Sequence, residues 1–198
     1  MSELSVLGIN GSPREGGNTD ILINEVLKTL REKGIKTSFF QLGGKEVSGC
    51  TACMKCRSVK DGYCQNRNDV INKCIEMMMK VEAVIIGSPV YFSDATPEVK
   101  ALIDVSGYAS RAAGNIYRRK IGAAVVAVRR AGSIHAFDTI NHFFLINEMI
   151  VPGSSYWNIG IGREKGDVLN DGEGIKTMQT LGENMAWLLK AVSGTPVQ

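Results

Sequence analysis

Short apolar runs alternate with segments of helical periodicity along this 198-residue chain. The apolar runs predict strands at residues 4–10, 35–42, 83–87 and 121–128, and a fifth strand that begins at 149–151. The segments between and after them predict helices over 19–33, 69–80, from Thr96-Pro97 onward, over 133–147 and over 172–192. This alternation is typical of an α/β fold with helices on both faces of a parallel sheet. Five strands favour a flavodoxin-like, doubly wound sheet of order 2-1-3-4-5.

The composition is that of an ordinary globular protein. Hydrophobic residues make up 44% of the sequence and charged residues 22%. Because a chain of this length most often forms one domain, and because we find no repeat, linker or low-complexity tract, we expect a single flavodoxin-like α/β domain over residues 1–198. A cysteine-rich loop is inserted in it at about residues 43–68.

Charge and hydropathy argue against several classes of function. The net charge of +3 is mild, and the basic run Arg118-Arg119-Lys120 is too short to indicate nucleic acid binding. The N-terminal sequence does not have the pattern of a signal peptide, and no apolar run approaches the roughly 18 residues of a membrane span. We therefore expect a cytoplasmic protein with no nucleic-acid or membrane partner, in which thiols stay reduced.

The loop after the first predicted strand, residues 10–19, reads NGSPREGGNT. Its glycine spacing matches neither a dinucleotide fingerprint nor a Walker A loop, since Gly17 stands where the Walker lysine would be. A loop between a parallel strand and a helix N-terminus suits a monophosphate. Four side chains could donate hydrogen bonds or supply charge to it: Ser12, Arg14, Asn18 and Thr19. We favour this interpretation over a plain turn with an Asn or Thr cap.

Two further loops reach the same predicted edge, at residues 87–97 and 129–133. Tyr91 and Phe92 could stack on a flat heteroaromatic ring, and Gly132 would allow its close approach. An arginine such as Arg129 could stabilise negative charge on a reduced ring. Alone, the aromatic residues could equally cover the sheet edge, and the arginine could be a solvated surface charge. Combined with the phosphate loop, they indicate a flavin mononucleotide pocket.

Four of the five cysteines lie close together, with the spacing C-x2-C-x2-C-x7-C: Cys50, Cys53, Cys56 and Cys64. Three cysteines at successive x2 intervals resemble the start of a bacterial ferredoxin run, and thiolates are soft ligands that suit iron–sulfur clusters or zinc. The gap of seven and the absence of proline after Cys64 depart from the ferredoxin pattern. We favour a [4Fe-4S] cluster, with zinc, a disulfide or unliganded thiols as alternatives.

The remaining candidate ligands have simpler interpretations. Cys74 and Met77-Met78-Met79 fall in a predicted helix and are expected to fill the core. His135 and His142 are seven residues apart on another predicted helix, without an acidic or cysteine partner at ligand spacing. We expect both histidines to have a packing role.

Together these motifs resemble the iron–sulfur flavoproteins, a branch of the NADPH-dependent FMN reductase and flavodoxin-like superfamily. The resemblance covers nearly the whole chain and rests on residues 11–19, the cysteine motif, residues 89–104 and residues 149–178. It implies FMN at the three loops, with its phosphate near Ser12, Arg14, Asn18 and Thr19. It places the ring along Pro89, Val90, Tyr91, Phe92, Ser93, Ala131 and Gly132. It also implies a homodimer or homotetramer in which one subunit's cluster lies near a neighbour's flavin.

The expected function is electron transfer. A low-potential donor such as ferredoxin would reduce the [4Fe-4S] cluster, which would pass electrons to FMN and then to a small acceptor such as a quinone, oxygen or peroxide. The cofactors carry this chemistry, so no catalytic side chain is assigned.

Two alternative functions stay open. One is an NAD(P)H-dependent FMN or quinone reductase whose cysteine loop is only a lid, and the other is a zinc- or flavin-binding redox sensor with a partner protein.

Overall fold

A computed structural model describes residues 4–66 and 69–193. The ends of the predicted domain, and residues 67 and 68 of the predicted cysteine-rich loop, lie outside this part of the chain. Five parallel strands form a sheet with the predicted order: β2 (Lys36–Gln41), β1 (Ser5–Asn10), β3 (Ala83–Pro89), β4 (Ile121–Val128) and β5 (Ile159–Ile161). The helices are α1 (Asn18–Glu32), α2 (Lys55–Val59), α3 (Asp69–Met79), α4 (Pro97–Ala112), α5 (Ser133–Ile146) and α6 (Gly172–Val192).

Two layers of helices cover the sheet, which explains why its central strands are apolar at nearly every position. Successive side chains of a strand point to opposite faces. Ile85 of β3 therefore joins the core formed with α1 and α6, whereas Ile86 joins the core formed with α3, α4 and α5. This arrangement is the predicted flavodoxin-like α/β fold.

The predicted position of the fifth strand was wrong. Ile150 makes an isolated parallel bridge with Ile121, the first residue of β4, and Pro152 then lacks the N–H needed to continue the ladder. The chain leaves the sheet and returns as β5, nine residues after Ile150. Between the two contacts, the Asn158 side-chain amide donates a hydrogen bond to Ala124 O of β4 at 3.0 Å. The Asn158 side chain thus supplies a hydrogen bond that a neighbouring strand would otherwise give to β4.

Other local expectations had mixed outcomes. Thr96 is the N-cap of α4, with Pro97 at the first helical position, as predicted. Cys74 and Met78 are fully buried, which confirms their place in the core. The two histidines on α5 are instead exposed, so the expectation that they pack was wrong.

Over the described ranges, no helix has both the length and the apolar character to cross a membrane.

Candidate functional site

The loops that follow β1, β3, β4 and β5 meet at the carboxyl edge of the sheet, where ligands bind in open α/β folds. They enclose a cavity of about 200 Å³, which we call the flavin cavity because the sequence predicts that ligand at this edge. Its lining includes eight of the predicted cofactor-binding residues: Ser12, Arg14, Asn18, Thr19, Pro89, Val90, Tyr91 and Arg129. The structure thus brings together residues that are more than a hundred positions apart in the sequence.

The loop after β1 is held by a hydrogen bond to β3 and by hydrogen bonds to its own side chains. Gly11 N donates to Gly87 O of β3 at 2.8 Å, and Ser12 N donates to Asn10 Oδ1 at 3.0 Å. Ser12 Oγ in turn accepts from Arg14 N at 3.2 Å. Gly17 is the N-cap of α1 and brings no side chain, so the first turn of α1 begins directly at the cavity. An uncapped helix N-terminus in this position is suited to an anion.

Asn18 lines the flavin cavity, yet its side chain is already engaged. Its Nδ2 donates to Glu164 O at 2.9 Å, and its Oδ1 accepts from Gly166 N at 2.9 Å. Both partners belong to the loop after β5. Asn18 therefore fastens that loop to the start of α1, in addition to any contact it makes with a ligand.

The loop after β5 is the part of the site that sequence reasoning missed. It contributes Gly162, Arg163 and Lys165 to the cavity lining, and Lys165 Nζ donates to Glu15 O at 2.8 Å. These residues were overlooked because the fifth strand was predicted too early in the chain. The available signal was the GREK segment directly after the apolar segment IGI, in the same strand-to-loop arrangement as the other three edge loops.

The loop after β3 makes a tight reverse turn beside the cavity. Tyr91 and Asp94 exchange two backbone hydrogen bonds, of 2.8 and 3.0 Å, across Phe92 and Ser93, which both have positive φ angles of 45° and 69°. This turn lies against Gly132, where an added Cβ would be only 2.9 Å from Ser93 Cα. Four predicted ring contacts are therefore not part of the cavity lining: Phe92, Ser93, Ala131 and Gly132.

The electrostatic character of the flavin cavity is positive. Four cationic side chains line it, Arg14, Arg129, Arg163 and Lys165, and no carboxylate belongs to the described residues of this lining. Cations beside a helix N-terminus favour a dianionic phosphate through both charge and hydrogen bonding. The aromatic ring of Tyr91 supplies an apolar wall on the opposite loop. The residues present therefore fit a phosphorylated flavin.

The four clustered cysteines line a second, smaller cavity, which we call the cysteine pocket. Cys50, Cys53, Cys56 and Cys64 are all free thiols, and the opposite wall is formed by Val105, Tyr108 and Ala109 of α4. The backbone is left-handed at Ala52 and Met54, between the cysteines, and Ala52 N donates to Cys50 Sγ at 3.4 Å.

The donor set of the cysteine pocket fits a thiolate-bound metal group, but the loop is too closed to hold one as it stands. The cavity has a volume of about 20 Å³, room for about one water molecule. Within residues 4–66 and 69–193, no three His, Cys, Asp or Glu side chains converge closely enough to bind a metal ion. A cluster would require the thiols to spread apart around it.

Comparisons with known proteins agree with this site. The family model described as NADPH-dependent FMN reductase matches residues 4–164. An iron–sulfur flavoprotein of Methanocaldococcus jannaschii is 36% identical over 196 residues, which cover 96% of this chain and 99% of the relative. An iron–sulfur flavoprotein of Archaeoglobus fulgidus is 30% identical over 197 residues, with the same two coverages.

Solved structures share the fold at low sequence identity. The RosB structure with bound 8-demethyl-8-formylriboflavin-5'-phosphate has a TM-score of 0.73 and 16% identity, and covers 98% of this chain and 81% of its own. A flavodoxin from the domain Archaea has a TM-score of 0.61 and 14% identity, with coverages of 94% and 99%. The chain belongs to the NADPH-dependent FMN reductase family, in its iron–sulfur flavoprotein branch, and is an FMN-binding, flavin-dependent oxidoreductase.

Proposed function

We propose that this protein is an electron-transfer oxidoreductase whose redox groups are FMN and a [4Fe-4S] cluster. It would take electrons from a low-potential donor such as a ferredoxin and deliver them to a small acceptor such as a quinone, oxygen or peroxide. The observation that carries this proposal is the convergence of four free cysteines on one pocket, in a chain whose relatives are named iron–sulfur flavoproteins. When bound, the cluster supplies one-electron transfer and FMN links it to two-electron chemistry.

At the flavin cavity, the residues of this chain would bind and orient the cofactor. The start of α1, with Ser12, Arg14, Asn18 and Thr19, would hold the phosphate. The ring would lie along the loops after β3 and β4, against Pro89, Val90 and Tyr91 of the cavity lining. The adjacent turn, with Phe92, Ser93, Ala131 and Gly132, would border it. Arg129 lines the same cavity, where its positive charge would favour a negatively charged, reduced ring.

At the cysteine pocket, Cys50, Cys53, Cys56 and Cys64 would be the cluster ligands. The pocket lies against residues 105–109 of α4. This helix begins at Pro97, at the carboxyl edge of the sheet where the flavin cavity lies. At 1.5 Å per residue, this corresponds to roughly 12–18 Å along the helix. We also propose a homodimer or homotetramer in which the cysteine pocket of one subunit lies near the flavin cavity of another.

Anaerobic purification with quantitation of iron, sulfide and FMN tests the cluster. We expect about four irons and four sulfides per chain with one FMN. Cys53→Ser should lose iron while retaining FMN, and Cys74→Ala, which changes the buried cysteine outside the pocket, should retain both. Fewer than about two irons per chain with full FMN would reject the cluster. Stoichiometric zinc with negligible turnover would indicate a redox sensor instead.

A second candidate function is an NAD(P)H-dependent FMN or quinone reductase in which the cysteine loop is only a lid. The extent of the NADPH-dependent FMN reductase match, over residues 4–164, favours it. Stopped-flow mixing of Cys53→Ser with NADPH distinguishes the two. Rapid hydride transfer to the flavin in this variant supports the reductase, and slow or absent transfer supports the electron-transfer protein.

A further inference from the structure

A large groove lies between α4 and α5, directly beside the cysteine pocket. Its volume is about 870 Å³, and its apolar part includes Ile103 of α4 and Phe143 and Ile146 of α5. Tyr108 lines both this α4–α5 groove and the cysteine pocket, so the two are contiguous. Ile146 and Tyr108 are 60% and 44% exposed, so part of the apolar lining of the groove faces solvent.

The groove carries a concentrated positive charge. Its described lining has four cations, Arg57, Lys60, Lys100 and Arg111, and a single carboxylate, Asp104. Lys100 Nζ lies 2.6 Å from Asp104 Oδ1, and these two charges neutralise each other. The lining therefore has a net charge of +3, which equals the formal net charge of the whole chain. A positive lining of this size favours an acidic partner over a neutral or basic one.

The three remaining cations surround the groove where a partner would meet it. Arg57 directly follows Cys56 within α2, and Lys60 ends that helix in a left-handed conformation. Both side chains are exposed. Arg111, on α4, donates from Nη1 to Ile146 O at 2.8 Å, a neutral acceptor that leaves its charge uncompensated. An apolar centre with a charged rim is the usual anatomy of a protein interface.

We propose that the α4–α5 groove is the docking site of a small acidic electron-carrier protein. The inference rests on the proposed electron-transfer function and names where its donor binds. In each encounter the carrier loses one electron and the redox centre of this protein gains it, with no bond formed or broken. The groove is suited to this role because its cations begin at the residue after Cys56, so a carrier bound there lies against the cysteine pocket.

Charge argues for an acidic partner over a second copy of this chain. A two-fold symmetric contact places the same patch on both sides of the interface. Across this groove, such a contact would place two linings of net charge +3 against each other, and like charges facing each other oppose association. An acidic carrier instead meets the groove with complementary charge, which also accelerates its encounter.

The test uses the holoprotein and a strongly acidic recombinant ferredoxin, with binding measured by calorimetry and association rates measured as a function of ionic strength. The groove variant is Arg57→Gln/Lys60→Gln. The matched control is Lys28→Gln/Lys176→Gln, which removes the same charge from exposed positions on α1 and α6, in the helical layer on the other face of the sheet. We expect the groove variant to bind about tenfold more weakly at low salt, with a shallower salt dependence, and the control to match the wild type.

Several results would overturn the docking site. These are no binding of the ferredoxin by the wild-type protein, unchanged affinity in the groove variant, or equal weakening in both double variants. Dissociation of an oligomer in the groove variant, seen by sedimentation, would assign the groove to a second copy. Failure of the proposed electron-transfer function can be distinguished from failure of the docking site. It would appear as salt-dependent binding of the ferredoxin to a preparation of this protein that contains no iron. Full iron content with unchanged association rates in the groove variant would instead reject docking alone.

Discussion

At the scale of single residues, Asn18 and Gly162 determine how the flavin cavity is closed. Asn18 holds the loop after β5 through hydrogen bonds to Glu164 O and Gly166 N. Gly162 lies so close to it that an added Cβ would be 2.7 Å from Asn18 Nδ2 and 2.7 Å from Val168 N. The cavity therefore requires a glycine at position 162, because the Asn18 side chain and the backbone at Val168 leave no space for a Cβ.

We predict that Gly162→Ala weakens FMN binding by about tenfold, since the new methyl group must displace either the Asn18 amide or the backbone at Val168. Quenching of FMN fluorescence during titration of the apoprotein measures the change. Gly172→Ala is the matched control, because a Cβ there meets no atom within 4 Å. Unchanged affinity in Gly162→Ala would show that the loop after β5 is not part of the flavin site.

Two buried residues link stability to alkaline pH. Burial raises the pKa of the Cys74 thiol above its ordinary value of 9.0 and that of the Tyr117 hydroxyl above 10.0. The folded protein keeps these protons when the unfolded chain has lost them, so the free energy of unfolding falls as pH rises above about 9, with a slope of up to about 1.4 kcal/mol per pH unit for each group. Burial lowers the pKa of Lys120, which acts in the opposite direction.

Cys74→Ala should therefore be less stable than the wild type at pH 8 and lose less stability than the wild type between about pH 9 and 10. Urea unfolding across this pH range measures both slopes, and the contributions of Tyr117 and Lys120 cancel in the comparison. Ile75→Val serves as the control, because it alters a fully buried neighbour that does not titrate. Parallel curves for Cys74→Ala and the wild type would contradict the prediction.

At the scale of elements, the sequence predicted regular structure best where apolar periodicity was long. The four long strands and the helices other than α2 lie close to their predicted positions, because each buries a continuous run or face of apolar side chains. The three-residue β5 has no such signal. Its placement depends on the Asn158 side chain and on the end of β4, contacts between distant parts of the chain that periodicity does not record.

The N-terminus of α4 shows how one element supports the functional loop of another. Thr96 Oγ1 donates to Gly11 O at 2.9 Å and accepts from Val99 N at 3.4 Å, so a single buried hydroxyl caps α4 and fastens the loop after β1. We predict that Thr96→Val lowers the free energy of unfolding by about 1–3 kcal/mol. Urea denaturation measures this loss. Thr96→Ser retains the hydroxyl and should lose clearly less; equal losses in both variants would indicate that methyl packing dominates.

At the scale of the whole molecule, the candidate sites are products of topology. The sequence predicted the loops after β1, β3 and β4 as parts of one site, because parallel strands bring their carboxyl ends to the same edge. It did not predict that Arg163 and Lys165 would join Arg14 there, because that depends on where β5 pairs. The α4–α5 groove was also beyond sequence reasoning, since the positions of its cations on α2 and α4 are related only through packing.

The positive charge of the flavin cavity predicts how strongly FMN raises the free energy of unfolding of the whole protein. A ligand that binds only the native state at a free concentration of 100 times its Kd stabilises the protein by about 2.7 kcal/mol. We expect FMN to reach this value in urea unfolding of the apoprotein, and riboflavin at the same concentration to give less than about 1 kcal/mol, because it lacks the phosphate that the cations would bind. Arg14→Gln should reduce the difference between the two ligands, whereas Lys28→Gln, an exposed cation elsewhere on α1, should preserve it. Equal stabilisation by FMN and riboflavin would mean that the cationic lining does not bind the phosphate, and the positive charge at this edge would then need another ligand.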